Sequence, residues 1–197
     1  MNLPNKLTIF RILLVPIMVI IPFFKIQGIF LNIPVEYWII DIIFVIASFT
    51  DKLDGQLARK NNQVTTFGKF ADPLVDKILV LAALIMLVEY ARLPAWIPII
   101  VIAREFIVSG YRLVAVGKGG KVIAASIWGK LKTVTQMIAI IGAFLDTNAF
   151  CAFINGGPTG ITLVINIFWS IMMIISVIAT VFSGWDYVKD GKDLLKD

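Results

Sequence analysis

Residues 51–76 read DKLDGQLARKNNQVTTFGKFADPLVD, and their four aspartates, Asp51, Asp54, Asp72 and Asp76, decide how the rest of the chain is read. At about 100° per helical residue, Asp54, Gly55 and Ala58 fall at roughly 300°, 40° and 340° from Asp51. Two carboxylates therefore share a stripe with two positions that carry almost no side chain. Gly68, Asp72 and Asp76 follow i, i+4, i+8 spacing and share a second face. If the two helices pack antiparallel across residues 60–67, the stripes face each other. The result is a pocket with four carboxylates, walled by small residues that let a bulky ligand approach the backbone. Arg59 sits at its edge, where a guanidinium suits a phosphate. Pro73 either begins a regular helical turn or kinks the second of these helices. A single aspartate near a helix end is commonly a cap or a headgroup-facing charge. Four at matching spacing repel one another unless a cation neutralises them.

These acids stand out because the chain otherwise avoids charge. Its 197 residues are 59% hydrophobic and 16% charged, with a mean hydropathy of +0.90. A soluble domain is about half apolar and about a quarter charged, so the composition excludes that class and points to a bilayer. Six segments are near the length a span needs: 7–24, 37–49 continuing past Asp51, 70–88, 94–116, 122–144 and 161–182. The second is short in its apolar part, and the aspartate motif favours a helix that runs on out of the membrane. Lys6 precedes the first apolar run as in a signal peptide. Arg11 interrupts that run, however, Pro16 and Pro22 follow, and no small-residue cleavage site appears near Phe24. The expected fold is therefore all-α, a polytopic membrane protein. It has six transmembrane helices, a short N-terminal interfacial segment, and a single domain over residues 1–197.

Of the 18 basic residues, 14 fall at the N-terminus, in 50–69, in 112–132 and at the C-terminus. Lys25 and Arg92 lie on the opposite loops, and Lys77 and Arg104 within spans. The positive-inside rule puts both termini and the aspartates at the cytoplasmic face of the cell membrane. The net charge of +5 fits anionic lipid headgroups. No basic stripe with interleaved aromatics is present, which argues against nucleic acid.

There is one cysteine, Cys151, and no histidine. Neither an intrachain disulfide nor a Cys/His zinc site can form. A general base near neutral pH must then be a carboxylate, a perturbed lysine or a tyrosine. Any metal must be a hard, oxygen-liganded ion such as Mg²⁺, Mn²⁺ or Ca²⁺.

A second constellation is basic. Glu105, Ser109 and Arg112 fall at i, i+4, i+7 on one face, and Ser126, Gly129, Lys130, Lys132, Thr133 and Gln136 follow. Clustered Arg112, Lys130 and Lys132, with Ser126, suit an anionic acceptor better than choline or ethanolamine. Arg104 lies well inside a span, where charges are usually paired; Glu105 and Glu89 are its candidate partners, and an Arg104–Glu105 pair is read as structural rather than catalytic.

The 51–76 stretch matches the D-x2-D-G-x2-A-R-x8-G-x3-D-x3-D signature at every fixed position and so resembles the CDP-alcohol phosphatidyltransferase family. That resemblance implies a six-helix membrane bundle, commonly a homodimer. It implies two metal ions, Mg²⁺ or Mn²⁺, on Asp51, Asp54, Asp72 and Asp76, with Asp76 taking the proton of the attacking alcohol. It also implies that Gly55, Ala58, Arg59, Thr65 and Gly68 line the site for CDP-diacylglycerol. Looser motifs resemble the phosphatidylglycerophosphate synthase branch of that family: Asn2-Leu3-Pro4-Asn5, Thr8, Arg11, Asp76-Lys77, Ala103-Arg104-Glu105, Ser109-Gly110-Tyr111-Arg112 and the 124–136 block. They imply transfer of a phosphatidyl group to sn-glycerol 3-phosphate with release of CMP. Asn5, Thr8 and Arg11 then lie near the nucleotide or the membrane surface, or serve an amphipathic entry helix. Two other readings stand beside this one. The same catalytic set can act on phosphatidylglycerol, serine or inositol phosphate, and a divalent-cation transporter can use aspartates for permeation.

Overall fold

Long apolar runs leave the backbone one economical way to satisfy its N–H and C=O groups, the helix. The computed structural model describes residues 3–60, 66–117 and 127–190, with side chains described at 5–50, 71–115 and 127–189. It contains α1 (Leu3–Ile20), α2 (Val35–Lys60), α3 (Thr66–Glu89), α4 (Trp96–Gly117), α5 (Ile127–Phe144) and α6 (Gly160–Asp190). The residues expected as a separate interfacial segment are already helical from Leu3 and continuous with α1. α2 carries the second segment through the Asp51–Arg59 motif without a break, over 26 residues. α3 is also continuous, with Pro73 inside it. α6 extends past the expected end at 182, because Asp186 and Lys189 are polar without being helix breakers.

A short hairpin escaped the sequence reading. Ile29–Phe30 (β1) pairs antiparallel with Ile33–Pro34 (β2). Leu31 and Asn32 between them have φ of 51° and 63°, the left-handed pair that a two-residue hairpin turn requires. Trp38 Nε1 donates to the Phe30 carbonyl at 3.1 Å and fastens the hairpin to the start of α2.

The chain divides into two compact units, Met1–Tyr90 with Ala143–Thr147, and Ala91–Gly142 with Asn148–Asp197. In the first, α1 packs on both α2 and α3. Its buried stripe is Thr8, Arg11, Val15 and Met18, at i, i+3, i+7 and i+10. Ile40, Phe44 and Ala47 of α2, and Val75, Leu79, Ala83 and Leu87 of α3, supply the rest of that core. The opposite face of α1 is apolar too, with Phe10, Leu13, Ile17 and Ile20 exposed. A helix of a soluble protein would turn polar residues that way. Among the described residues two helices, at Asn5–Phe24 and Gly160–Lys189, are long and apolar enough to cross a membrane, with mean hydropathies of 2.5 and 2.4.

In the second unit α4 packs on α6. α6 buries a row of small polar residues, Asn166, Ser170, Ser176, Thr180 and Ser183. The first two tie down the preceding loop. Asn166 donates to the Ala149 carbonyl at 3.0 Å and accepts from the Phe153 amide at 3.3 Å, while Ser170 Oγ accepts from the Cys151 amide at 3.1 Å. Where α5 meets α6, a Cβ on Gly142 would lie 2.6 Å from Trp169 Cβ. That contact is with the root of a buried side chain, so it cannot swing away. Gly142→Ala is expected to destabilise the protein by about 1–3 kcal/mol, seen as a lowered thermal unfolding midpoint. An unchanged midpoint would mean that the α5–α6 seam yields freely.

Candidate active site

The aspartate site is built on α2 and α3. The helical backbone of α2 across Asp51, Asp54, Gly55, Ala58 and Arg59 gives that motif the spacing the stripe needs. Their side chains, and that of Gly68 on α3, lie outside the described residues, as does Thr65 altogether. On α3, Asp72 and Asp76 stand one turn apart and both are half-buried, with Ala71 and Val75 turned into the core beside them. Thr8 Oγ1 of α1 donates to Asp72 Oδ1 at 2.7 Å. Thr8 is only 1% exposed, and Arg11, one turn further on, is fully buried. α1 therefore turns Thr8 and Arg11 inward, and Thr8 reaches an aspartate 64 residues away in sequence.

This donor set fits a hard divalent cation. Among the described residues no group of three or more acids, histidines or cysteines gathers in one place. The described pair nevertheless offers carboxylate oxygens alone, in a chain without histidine. A hydroxyl donating to one oxygen of Asp72 fixes the orientation of its carboxylate, as supporting hydrogen bonds do around metal ligands.

The basic site belongs to the second unit. A cavity of about 550 Å³ is lined by Arg104 and Arg112 of α4, Gly129, Lys130, Thr133 and Val134 of α5, and Tyr187 of α6. Of the four residues expected to hold an acceptor phosphate, Arg112 and Lys130 line it and Ser126 lies outside the described residues. Lys132 does not line it. It is 6% exposed and its ammonium is bonded to Glu105. Helix geometry explains the split, because residues two apart point about 200° apart and cannot serve one pocket.

Arg104 and Glu105 do pair, Nη1 to Oε1 at 2.8 Å, and the same carboxylate oxygen also takes Lys132. Arg104 Nη2 further donates to Ser183 Oγ at 2.5 Å. Arg112 Nη2 donates to Tyr187 Oη at 2.7 Å. The α6 residues Ser183 and Tyr187 were not singled out from sequence. Their i, i+4 spacing, which puts both on one face of α6, was the available signal. Gly184 between them leaves space for Arg104, whose Cγ would lie 3.4 Å from a Cβ there.

The family model described as CDP-alcohol phosphatidyltransferase matches residues 1–184. A CDP-diacylglycerol–glycerol-3-phosphate 3-phosphatidyltransferase of Bacillus subtilis (strain 168) is 44% identical over 200 residues, covering 99% of this chain and 97% of the relative. A protein of the same name from Haemophilus influenzae is 38% identical over 201 residues, covering 100% and 96%. A probable phosphatidylglycerophosphate synthase of Mycobacterium tuberculosis (strain H37Rv) is 36% identical over 187 residues, covering 95% and 80%.

Proposed function

This chain belongs to the CDP-alcohol phosphatidyltransferase family, and from that membership we propose that it transfers the phosphatidyl group of CDP-diacylglycerol to sn-glycerol 3-phosphate, releasing CMP. The observation that carries the choice of acceptor is the end-to-end likeness to relatives named for that reaction. The cavity in the second unit supports it, since Arg112 and Lys130 are suited to a phosphomonoester dianion.

Asp51, Asp54, Asp72 and Asp76 would hold two Mg²⁺ or Mn²⁺ ions. Such ions, when bound, neutralise the diphosphate and stabilise the departing CMP oxygen. Asp76 accepts the proton of the attacking hydroxyl. A carboxylate that shares cations is a weak base, so its advantage comes from position. Thr8 keeps Asp72 in orientation. Gly55, Ala58 and Gly68 leave room for the nucleotide, and Arg59 and Thr65 contact its phosphates. Arg112 and Lys130, with Ser126, fix the acceptor phosphate, while Lys132 is taken up by Glu105. The enzyme is a single membrane domain of six spans and works as a homodimer. Both termini and the site face the cytoplasm, where a lipid donor and a water-soluble acceptor can meet.

The test is CMP release by purified protein from radiolabelled CDP-diacylglycerol across a panel of acceptors. Glycerol 3-phosphate is expected to be the productive one. Turnover with serine, inositol phosphate or phosphatidylglycerol, and none with glycerol 3-phosphate, would overturn the assignment. Arg112→Ala should raise KM for glycerol 3-phosphate about tenfold or more, the worth of one charge-assisted hydrogen bond, with a smaller effect on kcat.

A further inference from the structure

Arg104, Lys132 and Arg112 approach the same part of the second unit, yet their charges are handled differently. Arg104 and Lys132 share the Glu105 carboxylate. Among the described residues no carboxylate pairs with Arg112. Its Nη2 instead donates to the phenol oxygen of Tyr187 at 2.7 Å, and its Cζ lies 5.5 Å from the centre of the Tyr187 ring. Arg104 Cζ lies 5.9 Å from the centre of that ring. Tyr187 itself is 1% exposed, so its ring cannot follow the arginine into solvent.

The chemistry of the phenol matters here. A carboxylate in its place would neutralise Arg112 and compete with any incoming anion. A phenol oxygen accepts the hydrogen bond and leaves the guanidinium its full charge. An exposed arginine otherwise carries about 2 kcal/mol of rotamer entropy that binding must overcome. Holding the fork in place beforehand removes part of that penalty.

We infer that Tyr187 is a positioning residue for the acceptor: it holds the Arg112 guanidinium, charged and oriented, for the phosphate of the incoming phosphomonoester. The inference rests on the acceptor reading above and adds a residue from α6, 75 positions away from the arginine it serves. It acts through Arg112 and not on the transferred phosphoryl group.

Tyr187→Phe removes the hydroxyl alone and keeps the ring. KM for glycerol 3-phosphate should rise roughly tenfold, as expected for loss of a hydrogen bond to a charged group. The values of kcat and of KM for CDP-diacylglycerol should stay within about twofold. Because Tyr187 acts through Arg112, the double variant Tyr187→Phe, Arg112→Ala should show the same KM as Arg112→Ala. Three results would overturn the inference while leaving the acceptor site standing: an unchanged KM in Tyr187→Phe when Arg112→Ala raises it, full additivity in the double variant, or a rise in KM for both substrates with a lowered unfolding midpoint. If Arg112→Ala leaves KM for glycerol 3-phosphate unchanged, the acceptor site and the inference fall together.

Discussion

Asp76→Asn is expected to lower CMP release by about 10³-fold or more while the purified protein remains folded. Loss of a positioned general base alone removes about 10²–10⁴ in rate. Here the same change removes one negative charge from the proposed metal ligands. Asparagine matches aspartate in volume, and its neighbours on α3, Val75 and Leu79, are core residues that the substitution does not touch. Stability should therefore be close to wild type. The measurement is single-turnover release of labelled CMP, with size-exclusion elution and thermal midpoint as controls for folding. A near-normal rate would remove Asp76 from the chemistry.

Chelation should be equally severe and, unlike the substitution, reversible. In the proposed site four carboxylates would repel one another and could not accept a diphosphate without cations between them. Treatment with EDTA is expected to bring CMP release to background, and excess Mg²⁺ or Mn²⁺ to restore it. Activity that survives exhaustive chelation would rule out the metal-dependent reading. Residual activity with Ca²⁺ alone would point to a more tolerant site, since Ca²⁺ takes more ligands at longer distances than Mg²⁺.

Local pattern carried the helices. The apolar runs gave six helices, and the polar continuation past Asp51 gave the long α2. Helical periodicity says which residues share a face but not which helix that face meets. Thr8 on Asp72, and Tyr187 on Arg112, join residues 64 and 75 positions apart, and no spacing rule reaches across such distances. The separation of Lys130 from Lys132 was legible in principle, because positions two apart on a helix face different ways. Treating a basic cluster as one unit concealed it. The β1–β2 hairpin was hidden for a different reason: Leu31-Asn32 lacks the glycine that usually marks so tight a turn.

The sharing of Glu105 between Arg104 and Lys132 bears on how such a protein can diversify. Those two cations already share a carboxylate, and Arg104 also bonds Ser183, so these ties of α4 to α5 and α6 form without a ligand. Arg112 and Lys130 have no such obligation. A lineage can therefore exchange these two for neutral side chains, and drift toward an uncharged alcohol, giving up the Arg112–Tyr187 contact of α4 with α6 while the Glu105 cluster stays intact. Mutational tolerance and substrate choice are in this way assigned to different residues of one basic cluster.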